Sequence, residues 1–303
     1  MPHVTDEITD QPACWRRVVE LTAPAAGSGG LPVTASLPRP GERVAVLGCG
    51  TSWFMAQAYA ALRESRGQGE TDAFATSEWP SGRTYDRVVA LTRSGTTSEV
   101  LAALEQVRGR TPTVAVTADP ATPVADLADD LVVLDFADER SVVQTRFATT
   151  ALSLFRASLG IDLSAAIADA ERTVVEDLPE GVTTRRQFTF LGTGWTVGLA
   201  NEAALKMREA SLSWTESYPA MEYRHGPMSI TDESSVVWIL GTPPRGLVDE
   251  IRRFGAIVVS EPDRDPVAEL IRIQRLAVRI GLDKGLDPDN PRNLSRSVVL
   301  SDA

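Results

Sequence analysis

Two stretches of this 303-residue chain repeat each other at a fixed offset of 144 positions. Gly48-Cys49-Gly50 closes the apolar run Val44–Leu47, and Gly192-Thr193-Gly194 closes the run Phe188–Leu191. The same offset carries Glu78, in Ala75-Thr76-Ser77-Glu78-Trp79, onto Glu222, in Pro219-Ala220-Met221-Glu222-Tyr223. An internal duplication requires two like units, and the places where the copies diverge show which copy kept which chemistry. The first copy carries a hydroxyl-rich loop, and the second carries carboxylates, a lysine and a well-placed histidine. One composite site divided between them is the simplest reading.

Around these anchors the chain has a βαβ rhythm. Apolar runs at Val44–Leu47, Arg87–Thr92, Thr113–Thr117 and Leu131–Phe136 alternate with helical stretches at Trp53–Glu64 and Ser98–Gln106, with a short strand at Phe74–Thr76. Runs of four to six apolar residues between helices indicate α/β units with parallel sheets covered on both faces. Residues 5–20 read as an amphipathic lead-in helix and 24–40 as a Gly/Pro/Ala-rich linker. Ser141–Leu159 is predicted to be a long connecting helix. The second unit restarts at Phe188, with a helix over Val197–Ser213, strands at Val236–Leu240 and Ile257–Val259, and a helix over Ala268–Gly281. The predicted domains are 1–40 (lead-in and linker), 41–160, 161–286, and an irregular tail, 287–303, that closes the site.

Composition narrows the function classes. With 30 Lys+Arg against 41 Asp+Glu, the chain has net charge −11 and no basic run of the kind that tracks nucleic acid. Two cysteines do not make a disulfide framework and fit a reducing cytosol, so a cytoplasmic location is expected. No signal peptide or membrane-spanning run is expected, and no paired His or Cys ligands suggest a metal.

Glycine turns at strand ends place backbone amides and helix N-termini where an anion can sit. In the first copy Cys49-Gly50-Thr51-Ser52 forms one such turn and Thr92-Arg93-Ser94-Gly95-Thr96-Thr97 another, both at the carboxyl ends of strands, where open α/β sheets bind ligands. Hydroxyls, amides and one guanidinium describe a phosphomonoester pocket. Serine and threonine here also suit helix caps, but two such loops in one half favour the anion site. The second copy has Leu240-Gly241-Thr242-Pro243-Pro244 at the matching place, and proline removes amide donors. Its own contribution is Glu202, Lys206 and Glu209, which share one helix face. These can be a surface ion pair worth about 0.2–0.5 kcal/mol. The neighbours Ala203, Ala204, Leu205 and Met207 suit partial burial instead, which would fit a carboxylate base. Glu222-Tyr223-Arg224-His225-Gly226-Pro227 adds an imidazole on a rigid turn, and the only other histidine is His3.

These motifs, with Glu139-Arg140-Ser141-Val142 and Asp289-Asn290-Pro291-Arg292-Asn293-Leu294-Ser295-Arg296-Ser297, occur in the order found in double SIS (sugar isomerase) domain proteins. From about Val44 to Val299 the chain resembles the isomerase half of glucosamine-6-phosphate synthase and the amino-sugar isomerase/deaminase proteins. The resemblance implies two doubly wound, flavodoxin-like three-layer domains in tandem and a homodimer. It implies a sugar 6-phosphate held by Gly50, Thr51, Ser52, Thr92, Ser94 and Thr97, with Arg93 adding a charged donor where the synthase has glutamine. Glu209 would move a proton between C1 and C2, Lys206 would support it, and His225 would open the ring from the partner subunit. Ser141, Val142 and the tail would line the substrate; no cofactor is implied. Without a glutamine-hydrolysing segment, the chain is not expected to act as a complete synthase.

Arg296 stands where the synthase has an imine-forming lysine. Arginine stays protonated and forms no imine, but it can stabilise an enolate oxygen. Once Glu209 takes the C2 proton, the enolate can reprotonate at C1, release ammonia through an imine, or expel the C3 oxygen. The sequence narrowly favours the last, a dehydratase acting on N-acetylglucosamine 6-phosphate. Isomerase/deaminase action on glucosamine 6-phosphate is the alternative, and a non-catalytic phosphosugar sensor is a further one.

Overall fold

The computed structural model describes residues 2–23 and 33–300. The lead-in breaks into two helices, α1 (His3–Thr9) and α2 (Gln11–Thr22), with Asp10 capping the first. The first copy then runs β1 (Val44–Gly48), α3 (Thr51–Ser65), β2 (Thr71–Ala75), β3 (Arg87–Leu91), α4 (Ser98–Val107), β4 (Thr113–Thr117), α5 (Val124–Leu127) and β5 (Asp130–Val133). After α6 (Arg146–Ser158) and α7 (Ser164–Thr173) comes the second: β6 (Gln187–Gly192), α8 (Thr196–Ser211), β7 (Thr215–Pro219), β8 (Ser235–Leu240), α9 (Leu247–Arg252), β9 (Ile257–Ser260) and α10 (Pro266–Asp283). Among the described residues no helix is long and apolar enough to cross a membrane.

Both sheets are parallel and wound in the same order. The first is β2-β1-β3-β4-β5 and the second β7-β6-β8-β9. Every residue of β1, β3 and β4 is buried, so both faces of the central strands are covered. On one face Ala45 and Leu47 pack against Ala103 and Val107 of α4. The register repeats the duplication: Gly48 pairs with Ala75 and Leu91, and Gly192 with Pro219 and Leu240. The reason for glycine is the same in both copies. A Cβ on Gly48 would lie 2.6 Å from the Ser52 carbonyl carbon, and one on Gly192 would lie 2.3 Å from the Thr196 carbonyl oxygen. Each glycine lets the following helix start directly against the strand end.

The described chain divides into two compact units, each completed by distant segments. One comprises Met1–Pro12, Arg140–Thr145 and Ser164–Leu294; the other comprises Ala13–Glu139, Arg146–Leu163 and Ser295–Ala303. In the former, Asp289 accepts hydrogen bonds from His3 N (2.7 Å) and Val4 N (2.8 Å), and Asp289 O accepts from Val142 N (2.9 Å). In the latter, the connecting helix begins at Arg146 and not at Ser141. Ser141 is fully buried with its hydroxyl against the Glu7 carboxylate, and Glu139 Oε1 accepts from Arg146 N at 2.8 Å, capping α6. Helix α7 and strand β7 have no counterpart in the sequence-based assignment. The tail from Lys284 to Leu300 contains no regular element, as its Pro/Asn content predicts; of the linker reading, residues 24–32 lie outside the described part.

Gly192→Ala drives a new methyl into backbone and, as an overpacking change, is expected to cost about 1–3 kcal/mol. Urea unfolding measures it; an unchanged midpoint would contradict the close approach.

Candidate active site

In each sheet the winding reverses between two adjacent strands, β1/β3 in the first and β6/β8 in the second. Ligands of such sheets bind in the crevice at that reversal, outside the carboxyl ends of the strands. In the first copy the crevice is bounded by the Gly48–Ser52 and Thr92–Thr97 turns. Gly50 precedes α3 and Thr97 precedes α4, and neither helix start has a side-chain cap. Thr51, Ser52, Thr92 and Ser94 are buried along these turns, and the Ser52 hydroxyl makes no hydrogen bond among the described residues. Gly95 has φ +63°, and a Cβ there would come 2.0 Å from Thr122 Oγ1, which fixes the tight turn.

The second copy closes the same crevice with its own side chain. Thr196 occupies the position of Ser52, and its Oγ1 bonds to Leu240 O at 2.7 Å and accepts from Thr193 N at 2.8 Å. A single hydroxyl thus ties two strand-end groups together in the second copy. The Pro243-Pro244 turn adds no donors.

Arg93 lies in the first crevice's turn, but its guanidinium points inward. It is 1% exposed and pairs with the fully buried Glu139 at 3.3 Å, while Nη2 donates to Arg296 O at 3.2 Å. Its charge is met inside the protein. Arg296 is likewise engaged, donating to Asp138 and to Glu139 O. From there the tail runs along the turn. Ser297 Oγ lies 2.9 Å from Thr96 Oγ1, Ser98 N donates to Val298 O at 3.1 Å, and Leu300 N donates to Ser98 Oγ at 2.9 Å. The sequence reading brought the tail to the site but did not name Asp138, Ser98 or Val298 as its partners, because pairings between segments this far apart leave no local residue-type signal.

The second unit holds the proton-handling candidates. On α8, Glu202 is fully buried, Lys206 is 1% exposed and Glu209 is 17% exposed. Lys206 Nζ lies 3.5 Å from Glu202 Oε1 and donates to Glu209 Oε2. The buried Ala203, Ala204 and Met207 supply the apolar surroundings expected from the sequence. Glu209 Oε1 makes no hydrogen bond among the described residues, so it is the oxygen available to a substrate. A hollow of about 30 Å³, room for little more than a water, adjoins Glu209 and is lined by Asp287, Asn290 and Arg292 of the tail. His225 stands apart on the short 3₁₀ turn Glu222–His225, solvent-exposed and without a hydrogen bond among the described residues. Beneath it Tyr223 is buried against Thr231, and Arg224 pairs with Glu250 at 2.7 Å. Glu222, the repeat of Glu78, is exposed, as Glu78 is. Val142 is half-buried beside the fully buried Ser141.

With this geometry in hand, the chain can be set beside known proteins. Residues 39–159 match the SIS domain family. The chain is 28% identical to glutamine–fructose-6-phosphate aminotransferase [isomerizing] of Caulobacter vibrioides and 25% identical to that of Gloeobacter violaceus; each alignment covers 97% of this chain and 58% of the relative. The chain therefore spans little more than half the length of these relatives. Its fold is that of glucosamine-6-phosphate deaminase from Thermotoga maritima (TM-score 0.80, 24% identity, 98% of this chain and 100% of the other). Tagatose-6-phosphate ketose/aldose isomerase from Escherichia coli superimposes with TM-score 0.77 at 20% identity, covering 98% and 96%.

The buried triad sets a stability test. Lys206→Met removes the buried ammonium that faces the Glu202 carboxylate and should cost about 3–5 kcal/mol, with much of the loss recovered in Glu202→Gln/Lys206→Met. Chemical denaturation of the three variants reads this, and a neutral single variant would mean that the carboxylates do not depend on Lys206.

Proposed function

We propose that this chain is a double SIS domain enzyme that binds an amino-sugar 6-phosphate and moves the proton at C2, acting as an aldose–ketose isomerase/deaminase. The observation that carries this reading is the α8 triad, a partly exposed Glu209 carboxylate steered by a buried Lys206. A sensor that only binds has no use for a buried lysine holding a carboxylate this way.

The phosphate would occupy the open crevice of the SIS domain, held by the amides after Gly50 and by the hydroxyls of Thr51, Ser52, Thr92, Ser94 and Thr97. Glu209 Oε1 would take the C2 proton of the open-chain sugar and return it at C1. Ketonisation at C1 of a free 2-amino substrate gives a C2 imine, which water hydrolyses to ammonia and a ketose phosphate. The exposed His225 suits a role in opening the sugar ring of a second subunit within a homodimer. Names of relatives point the same way, since they include a sugar-phosphate aminotransferase, a glucosamine-6-phosphate deaminase and a ketose/aldose isomerase.

Dehydration of N-acetylglucosamine 6-phosphate, favoured by the sequence, rested on an Arg296 available to an enolate. Arg296 donates to Asp138 and Glu139 O, which favours isomerisation or deamination, reactions that demand nothing further of it.

Incubation with glucosamine 6-phosphate should release ammonia or yield a ketose, while N-acetylglucosamine 6-phosphate should not lose water. Loss of water from the acetylated sugar, with glucosamine 6-phosphate untouched, would replace this reading by the dehydratase. Separately, inactive Glu209→Gln and inactive His225→Ala subunits, mixed and allowed to exchange, should regain part of the activity, up to about a quarter of wild type for a site with one residue from each subunit. No recovery in subunits shown to exchange would place His225 outside the neighbour's site.

A further inference from the structure

A second cavity lies beside the anion crevice, between the turn that follows β2 and helix α4. It measures about 280 Å³, near the lower end of small-molecule pockets, which run from about 300 Å³. Three of its lining residues carry buried polar atoms with no hydrogen-bond partner: Thr76 Oγ1, Trp79 Nε1 and Glu99 Oε2. Thr76 is only 6% exposed. Buried polar groups are paired in the great majority of cases, and each exception calls for a ligand, a water or a functional reason. Three in one hollow of this size describe a site whose occupant brings its own partners.

The chemistry of the three atoms defines that occupant. A carboxylate oxygen accepts only, an indole N–H donates only, and a hydroxyl does either. The ligand must therefore offer a donor to Glu99 and an acceptor to Trp79. Sugar hydroxyls do both. The lining contains no lysine or arginine, and Glu99 supplies a negative charge, so a phosphate or carboxylate is disfavoured and an ammonium group is favoured. The remaining surface suits a pyranose: the Trp79 indole offers an apolar plane, while Ser77, Ser81 and Gln106 bring further polar groups. Cys49 borders the same corner. Burial pushes its thiol up from the usual range and the Glu99 charge adds to this; its ionisation also feels the neighbouring Thr76 hydroxyl, although that hydroxyl completes no hydrogen bond.

We infer that this cavity is a binding site for an unphosphorylated amino sugar, separate from the phosphate crevice though it shares helix α4 with it. Its occupant is distinguished from the proposed substrate by lacking the phosphate, and the site stands whether or not the isomerase/deaminase reading does.

The test is calorimetric titration of the full chain with glucosamine, with glucose as the uncharged comparison, in saturating inorganic phosphate to fill the crevice. Glucosamine should bind saturably, phosphate should not displace it, and glucose should bind more weakly. Glu99→Gln should weaken glucosamine at least tenfold, and Thr76→Val several-fold. Thr76→Val also serves as the folding control, because exchanging an unpaired hydroxyl for a methyl of the same shape leaves the thermal midpoint unchanged or raised. Absence of saturable binding, displacement by phosphate, tighter or equal binding of glucose, or full affinity in Glu99→Gln would each overturn the assignment.

Discussion

Backbone amides at the start of a helix have no partner within that helix, and neither α3 nor α8 begins with a side-chain cap; the two copies differ in the hydroxyl beside the strand end. In the second, the Thr196 hydroxyl bonds to Leu240 O and receives Thr193 N. In the first, the Ser52 hydroxyl makes no hydrogen bond among the described residues. Thr196 differs from Ser52 by one methyl group, and its hydroxyl is tied to the strand end where that of Ser52 is not. The sheet order and the strand-end glycines are shared by the copies, so the contrast arises from side chains set on a common backbone.

The electrostatics of each unit follow from burial. A buried charge is tolerated only when paired, and removing one partner is far costlier than the pair is worth. Arg93–Glu139 and Glu202–Lys206 both obey this. The first holds a guanidinium inward and uses it to hold the Arg296 carbonyl, fixing the tail against the Thr92–Thr97 turn. The second fixes Lys206 so that it presents a donor to Glu209. Structural ion pairs thus position the groups at which chemistry is expected while taking no direct part in it.

Much of the architecture was legible in the sequence because β1, β3, β4, β6 and β8 are buried on both faces and read as short apolar runs, three of them stopped by glycine (Gly48, Gly192 and Gly241). The half-buried edge strand β7, Thr-Glu-Ser-Tyr-Pro, has no such run and was missed. The connecting helix was extended too far because Glu7, distant in sequence, holds Arg140 and Ser141 in an irregular segment, and the nearby Glu139 starts the helix only at Arg146. Among site residues, the i, i+4, i+7 spacing of Glu202, Lys206 and Glu209 with alanines between them revealed the triad. Arg93 shows the limit of such reading. Its place in a serine-rich turn suggested an anion ligand, but a side chain's direction depends on a partner 46 residues away, Glu139, which sequence position alone does not give.

The account rests on Glu209 as the group that exchanges the sugar's C2 proton. Proton NMR of glucosamine 6-phosphate in deuterium oxide, comparing wild type with Glu209→Gln at matched ligand saturation, tests it directly. Loss of the C2 signal with wild type and its persistence with a variant that still binds the sugar phosphate is the predicted result. Undiminished exchange in Glu209→Gln would contradict it.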